Sequence, residues 1–516
     1  MNRPVRFALI ASMAALTLAP VALVGQSADV ANLTILHTND THGHLLPFSY
    51  PTIVEPGSTL GALSERRDIG GISRRATLVA RIRTELRQRG TPVWLIDTGD
   101  FSDGTPFSTE YRGEADVAAM NATGYDYATL GNHEFNYPLA QTKKLIGLAK
   151  HPVLCANALV KASGQPLAPA AMVEHIGSLR VGLFGLLTRE AASYPAAREG
   201  IEIADEIETA RRMVVELRTR ADIVVLISHA GDQMDQRIAA EVPGIDVIVG
   251  GHSHSRLASG QFVWKSEDLR QDDVNGTVIV QAHQWGGELG RLDLLFERTR
   301  GGTWTVARYR ARLIPITSAI ADDPGVAAVV KKYWDPIAAR YGEVIGQAAA
   351  DFASRGDDQA EYNLVADAVR ETFGTDIEFE NSGGIRSPLV AGPITRADLI
   401  AMDPFDNTVI TFSITGKELK DLLQRVAPPV SGIRYRVQDG QLVEATVAGA
   451  PIEDDKVYSG ATNSYAADRY LKGFQTTNTV KARLDVLIEY IRAKGTIRPS
   501  YDGRRVILGN RGTTRQ

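Results

Sequence analysis

What most constrains this chain is a recurrence: apolar, β-rich runs that end in residue types able to bind metals. Val93-Trp94-Leu95-Ile96 runs into Asp97-Thr98-Gly99-Asp100, a pattern that predicts a buried parallel strand with a carboxylate at its C-terminal tip. Leu33-Thr34-Ile35-Leu36 leads in the same way to Asp40 and His42, and Ile223 to Ile227 leads to Ser228-His229. Val247-Ile248-Val249 leads to Gly250-Gly251-His252-Ser253-His254, and the shorter Ala128-Thr129-Leu130 ends in Gly131-Asn132-His133-Glu134. A lone Asp-x-His or Gly-Asp is ordinarily part of a turn. Two histidines at i and i+2 after a β-branched run have little use in packing, and five such tips in series have less. Ligand chemistry in open α/β sheets gathers at the carboxyl ends of strands, so a metal centre is expected there, with Asp100 between two cations.

The donor types narrow the chemistry. Asp100 has two oxygens, enough to bridge. Asp40 and His42 are expected on the same side of an extended segment. Asn132 offers a neutral carbonyl oxygen, and His229, His252 and His254 offer imidazole nitrogens. Mixed nitrogen and oxygen donors suit Zn, Mn, Fe or Co better than Ca. Two such ions about 3.5–4 Å apart activate water and hold the attacking and leaving oxygens of a phosphoryl group. All ten histidines precede residue 284, which assigns this chemistry to the N-terminal half.

A chain of 516 residues is too long for one core, so at least two domains are expected. Strands alternate with helices over about Ile72–Arg89, Ala115–Thr123 and Leu139–Ala149, which predicts a parallel or mixed sheet with covering helices. Further strands are expected at Val181–Leu187, Val278–Gln281 and Leu289–Phe296, the last alternating like a strand with one exposed face. Asp322-Asp323-Pro324 opens a helix that Pro336 should interrupt, the expected connection to a second, α+β domain. The expected division is 1–28, 29–320, 321–346 and 347–516: leader, metal domain, linker helix and substrate domain.

Residues 1–28 have the form of a secretory signal, with Arg3 and Arg6 before an apolar core and a small-residue exit at Gly25-Gln26-Ser27-Ala28. The single cysteine, Cys155, excludes an internal disulfide and reads as a buried residue, not a nucleophile. These features predict a periplasmic or secreted protein without a membrane anchor once the leader is removed. The net charge of −5 argues against a nucleic-acid polymer as partner. His44 is expected at the surface or behind the site, His37, His151 and His175 in structural roles, and Trp94 and Trp334 in packing.

The words Thr38-Asn39-Asp40-Thr41-His42-Gly43-His44, Gly99-Asp100, Gly131-Asn132-His133-Glu134-Phe135, Ser228-His229 and Gly251-His252-Ser253-His254 resemble the calcineurin-like metallophosphatases. With Asn381-Ser382-Gly383-Gly384-Ile385-Arg386-Ser387-Pro388 and a looser Asp403-Pro404-Phe405-Asp406-Asn407, the chain is similar to the secreted bacterial 5'-nucleotidase family. That resemblance implies an αββα sandwich followed by an α+β 5'-nucleotidase domain. It implies one divalent ion (Zn, Mn, Co, Fe or Mg) held by Asp40, His42, Asp100 and His254, and a second held by Asp100, Asn132, His229 and His252. His133 would stabilise charge on the transferring phosphoryl group, and Arg386 would bind substrate.

The chain departs from that pattern in three places. Asn136 stands where the family often has the aspartate that orients and charges the histidine. Ala427 replaces one ring of a base-stacking clamp. The second clamp element is altered to Tyr465-Ala466-Ala467-Asp468-Arg469-Tyr470-Leu471-Lys472-Gly473, which leaves Tyr465 as the matching aromatic. The expected activity is hydrolysis of nucleoside 5'-monophosphates or a related small phosphate ester. Its rivals are 2',3'-cyclic-nucleotide phosphodiesterase/3'-nucleotidase action, favoured by the wording Gly-Asn-His-Glu-Phe-Asn-Tyr, a nuclease on the same centre, and a ligand-binding protein with an impaired site.

Overall fold

The computed structural model describes residues 30–51, 63, 65–264 and 276–509, so the expected leader lies outside the described residues. Among the described residues no helix is long and apolar enough to cross a membrane.

The N-terminal half is two six-stranded sheets packed face to face. In the first, strands Val30–Thr38, Val93–Asp97, Tyr127–Thr129 and Val153–Leu154 are parallel, Glu288–Arg298 adds antiparallel to Val30–Thr38, and Trp304–Pro315 adds antiparallel to Glu288–Arg298. In the second, Leu179–Leu187, Ile223–His229, Val247–Val249 and Gly276–Val280 are parallel, with antiparallel strands at both edges. Their facing sides make one apolar layer, where Leu33, Ile35 and Ile96 meet Val181, Ile223, Val225 and Val247. Helices cover both outer faces. Ile72–Arg87 buries Ile72, Ala76, Val79 and Ile82 against the first sheet, and Glu206–Leu217 buries Ile207, Met213 and Leu217 against the second. Strands buried on both faces explain why their sequences read as unbroken apolar runs.

Glu288–Arg298 shows its expected half-exposure only in part. It keeps the alternation at Asp293 and Leu295, which are half-buried between buried Leu292, Leu294 and Phe296, but Arg291 is only 8% exposed, pairing with Asp293 at 2.9 Å while Thr34 donates to Asp293 at 2.7 Å. Cys155 is fully buried, and burial pushes its thiol up to about 11.

Asp323 caps the connecting helix Pro324–Trp334 by accepting from the amides of Gly325 and Val326. This helix packs onto the first domain, with Val326 and Val330 in the core formed with Ile72 and Met120, and Trp334 against Phe107. After the short helix Ala338–Tyr341, the C-terminal half centres on a five-stranded mixed sheet that includes Ile377–Phe379, Thr408–Thr415 and Val457–Asn463. Helices Ala360–Phe373 and Arg483–Lys494 pack against each other beside it.

Candidate active site

The carboxyl ends of both sheets converge on one floor of clustered side chains. The loop after Val30–Thr38 and the loop after Val93–Asp97 run side by side, joined by Asp40 N–H to Gly99 O at 3.0 Å, His42 N–H to Asp100 O at 2.9 Å and Gly43 N–H to Phe101 O at 2.9 Å. Asp40 and His42 are not on an extended segment, as the spacing suggested. Both have left-handed backbone, φ 49° and 47°, as do Asp100 at 50°, His252 at 72° and His254 at 52°. Non-glycine residues avoid this region, and it persists where surrounding contacts over-determine it. Those contacts are visible. Glu134 accepts from the amides of Asp100, Ser102 and Gly131 at 2.9, 3.1 and 2.8 Å, stitching two loops together. At Gly131 a Cβ would lie 2.1 Å from Asp100 Oδ1, so only glycine lets these loops approach.

The side chains converge in groups whose ligand atoms lie within 4.8 Å of one another: Asp40 with His42 and His254, Asp100 with His229 and His252, and His42 with Asp100 and His133. The chemistry of these groups fits divalent cations. His42 Nδ1 lies 3.0 Å from the Asp103 carbonyl, which sets the tautomer and leaves Nε2 a lone pair. That Nε2 is 3.2 Å from His254 Nε2, and the latter is 3.3 Å from Asp40 Oδ1. His229 repeats the device, with Nδ1 2.6 Å from Thr98 O and Nε2 3.1 Å from Asp100 Oδ2. Asp40 Oδ1, Asn132 Oδ1 and His229 Nε2 are buried without a hydrogen-bond partner. Buried polar atoms left without a partner call for a bound group, and oxygen and imidazole donors of this kind suit a cation. Burial works against charge on His229, yet the Asp100 carboxylate overrides it and raises the ring to about 10. At His42 burial wins instead and holds the ring well below the usual imidazole range, so that it offers a neutral lone pair as a metal ligand must.

The calcineurin-like phosphoesterase model matches residues 33–256, and the 5'-nucleotidase C-terminal domain model matches residues 344–477. The chain belongs to the 5'-nucleotidase family. A 5'-nucleotidase of Vibrio cholerae serotype O1 is 28% identical over 551 residues, spanning 95% of this chain and 95% of that protein. Protein UshA of Escherichia coli strain K12 is 28% identical over 522 residues, spanning 89% and 90%. The solved 5'-nucleotidase precursor from Thermus thermophilus superposes with a TM-score of 0.81 at 26% identity, over 93% of this chain and 100% of that one. This 5'-nucleotidase family member is a metal-dependent phosphomonoester hydrolase.

In this family member His133 has a partner that motif reading missed. Its Nδ1 lies 2.7 Å from Asp103 Oδ2, and Asn136 Nδ2 donates to that same oxygen at 2.7 Å. Asn136 brings no charge of its own, and Asp103 supplies the carboxylate that position 136 lacks. Burial would lower the ring's pKa, but the Asp100 and Asp103 carboxylates raise it overall. Asp103 follows Asp100 by three residues in a loop word with no strand period, so nothing local marked it. Tyr194 was missed as well. Its hydroxyl accepts from Asn132 Nδ2 at 2.9 Å, which turns Asn132 Oδ1 towards the cavity. Glu190, from the same segment, lies 3.4 Å from His252 Nε2. His44 is buried, not on the surface, and stacks on Trp285 at 4.5 Å.

The C-terminal domain reaches this floor through one loop. Arg386 is half-buried, with Nη2 3.5 Å from His42 Nε2. The loop is anchored from below by the fully buried Arg483, which donates to Gly384 O at 3.0 Å and to Asp403 at 2.6 and 2.8 Å. Tyr465 is 49% exposed, with its hydroxyl accepting from Arg469 at 2.9 Å. Ala427 ends helix Gly416–Val426 in a left-handed conformation, while Tyr470 and Phe474 pack against the domain core.

Proposed function

We propose that this enzyme hydrolyses nucleoside 5'-monophosphates to nucleoside and phosphate at a centre for two divalent cations. Asp40, His42, Asp100 and His254 would hold one, and Asp100, Asn132, His229 and His252 the other. The observation that carries this reading is the pair of donor groups around Asp40 and Asp100, buried at the carboxyl ends of two sheets with unmatched electron pairs. The names of the relatives, 5'-nucleotidase among them, support the substrate class.

Bound there, divalent cations supply an activated water and draw charge from the phosphoryl oxygens. The chain's own residues then divide the remaining work. With Nδ1 held by Asp103, His133 turns Nε2 to the phosphoryl group and stabilises the charge that develops on it. Arg386 pairs with a phosphate oxygen by charge-assisted hydrogen bonds. Tyr465 offers one ring face to the base, without a second ring at Ala427. The division at 29–320, 321–346 and 347–516 follows these roles, and a signal at 1–28 fits action in the periplasm or the medium on a small nucleotide.

The test is phosphate release from adenosine 5'-monophosphate by the purified mature chain with added Mn, Co, Zn or Mg, alongside a metal count. Two ions per chain and turnover of the monophosphate are expected. Faster turnover of a 2',3'-cyclic nucleotide would move the enzyme to the diesterase branch that Asn136 suggests. Metal-free protein without turnover would leave only a binding role.

A further inference from the structure

A cavity of about 440 Å³ opens on the outer face of the first sheet, between strands Val30–Thr38, Glu288–Arg298 and Trp304–Pro315 and the last turn of helix Ile72–Arg87. Asn32 on its wall precedes the strand tip at Thr38 by six residues, roughly 20 Å of extended chain from the floor that gathers the metal donors. Register sets the charge of this cavity. Arg291 stands directly opposite Arg312, Asp293 stands opposite Arg310, and Arg310 and Arg312 share one face of their strand. The alternate residues Leu292, Leu294 and Phe296 fill the layer between the sheets, which turns the arginines outward. Like charges directly opposed across a strand pair destabilise it. Glu85 is taken by Arg89 at 3.1 Å, and Asp293 by Arg291 at 2.9 Å. Among the described residues Arg310 and Arg312 have no ion-pair partner, and Arg312 Nε is buried without a hydrogen-bond partner. Four guanidinium groups, of Arg89, Arg291, Arg310 and Arg312, thus line the cavity with two carboxylates, a local surplus of two positive charges in a chain of net charge −5.

We propose that this cavity is a second ligand site, separate from the metal donors, for a small anion that carries a diphosphate group. Guanidinium forks match phosphate oxygens in pairs, and an anion between Arg291 and Arg312 removes the repulsion that the register builds in. The volume falls among small-ligand pockets, about 300–1,000 Å³, and exceeds what one phosphate fills. Arg310 and Arg312 are two residues apart, about 7 Å along the strand, so two linked phosphates engage both where one engages a single fork. The diphosphate can be free or the end of a nucleotide, since both present the same oxygens to the arginines.

The test is calorimetric titration of the full mature chain, in excess Mg²⁺ and about 0.15 M NaCl, with inorganic pyrophosphate, the α,β-methylene analogue of adenosine 5'-diphosphate, inorganic phosphate and citrate. Wild type is compared with Arg310→Gln/Arg312→Gln, Arg310→Lys/Arg312→Lys and Asp100→Asn. Pyrophosphate should bind wild type and Asp100→Asn alike at this site, about 100-fold more weakly to the Gln pair and about tenfold more weakly to the Lys pair, which keeps the charge but loses the forks. Without ligand, the Gln pair should melt no lower than wild type, because an opposed like charge is gone, and should turn over adenosine 5'-monophosphate at the wild-type rate. Pyrophosphate should raise the Tm of wild type and leave that of the Gln pair where it was. If the Gln pair does not fold, the Lys pair carries the test. Binding of the nucleotide analogue at the same site as pyrophosphate makes a nucleotide the source, and pyrophosphate alone makes it the free anion; both support the site. Pyrophosphate binding that survives in the arginine variants and is lost in Asp100→Asn would place it at the metal donors and overturn the proposal. Citrate or inorganic phosphate binding as tightly as pyrophosphate would also overturn it, by reducing the cavity to a patch of charge.

Discussion

On the floor of the N-terminal sheets, Asp40, His42 and Asp100 are almost wholly buried on left-handed backbone, and their neighbours bind them from several directions. On the C-terminal domain Arg386 is half-buried at the end of an anchored loop, and Tyr465 stands 49% exposed on a helix with only Arg469 on its hydroxyl. The first region is over-determined. Strain at Asp40, His42 and Asp100 is held by hydrogen bonds between neighbouring loops, so a change there spreads. The second is held at Arg386 and open at Tyr465, so changes there should stay local and small. A reaction centre needs atoms fixed to a fraction of an ångström, whereas a surface that accepts a base needs mainly an apolar face.

The sharpest way to break this contrast is Asp100→Asn. The variant keeps the shape but loses the charge shared by both donor groups, and kcat should fall about 10³-fold or more, with bound metal reduced. Near-normal turnover with two metals bound would mean the floor is less coupled than its geometry implies. Arg386→Ala comes next. Losing a charged hydrogen-bond partner costs about 1.5–3 kcal/mol, so kcat/KM should drop roughly 10- to 150-fold while metal content stays constant. Metal loss in this variant would show that the C-terminal loop helps to build the centre.

Tyr465→Ala should do less. One stacking face is worth about 1–3 kcal/mol, and an exposed ring with no opposing partner belongs at the low end, about fivefold in kcat/KM for nucleotides. A simple aryl phosphate should be nearly unaffected, and adenosine, guanosine and uridine monophosphates should fall within about tenfold of one another. A hundredfold preference for one base would show that a second ring, from Tyr470 or Phe474, leaves the core to complete a clamp.

The smallest effect is on stability and concerns a buried acid behind the floor. Burial, reinforced by the nearby Glu134, Asp103 and Asp97 carboxylates, pushes Asp116 up to about 8. The folded chain therefore holds a proton that the unfolded chain releases near pH 4, and stability falls as pH rises between about 4 and 8. Asp116→Asn removes that titration. Relative to wild type, its Tm should be higher by a few degrees at about pH 8.5 than at about pH 5, read by thermal melts at both pH values. An equal difference at both would show that Asp116 is not neutral in the fold.

Sequence by itself marked the side chains that the fold brings together at the strand tips of the first domain. Apolar runs ending in Asp100, His229 and His252-Ser253-His254 mark strand tips because a buried parallel strand must be apolar along its length and ligands gather where it stops. The connecting helix was equally legible in Asp322-Asp323-Pro324, since a cap and a first-turn proline act within a few residues. Only the tertiary structure decided how the site is held. That Asp40 and His42 turn left-handed depends on the hydrogen bonds of a loop about 60 residues away, and no local period encodes it. The exposure expected of the Leu289–Phe296 face holds at Asp293 and Leu295 and is lost at Arg291, which pairs with Asp293 and is covered. The partner of His133 was sought at position 136, within reach of a motif, and lies at 103 because two loops that are distant along the chain pack at contact distance. Strand tips are written by local composition, whereas which carboxylate meets which imidazole is set by loop packing that only the folded chain contains.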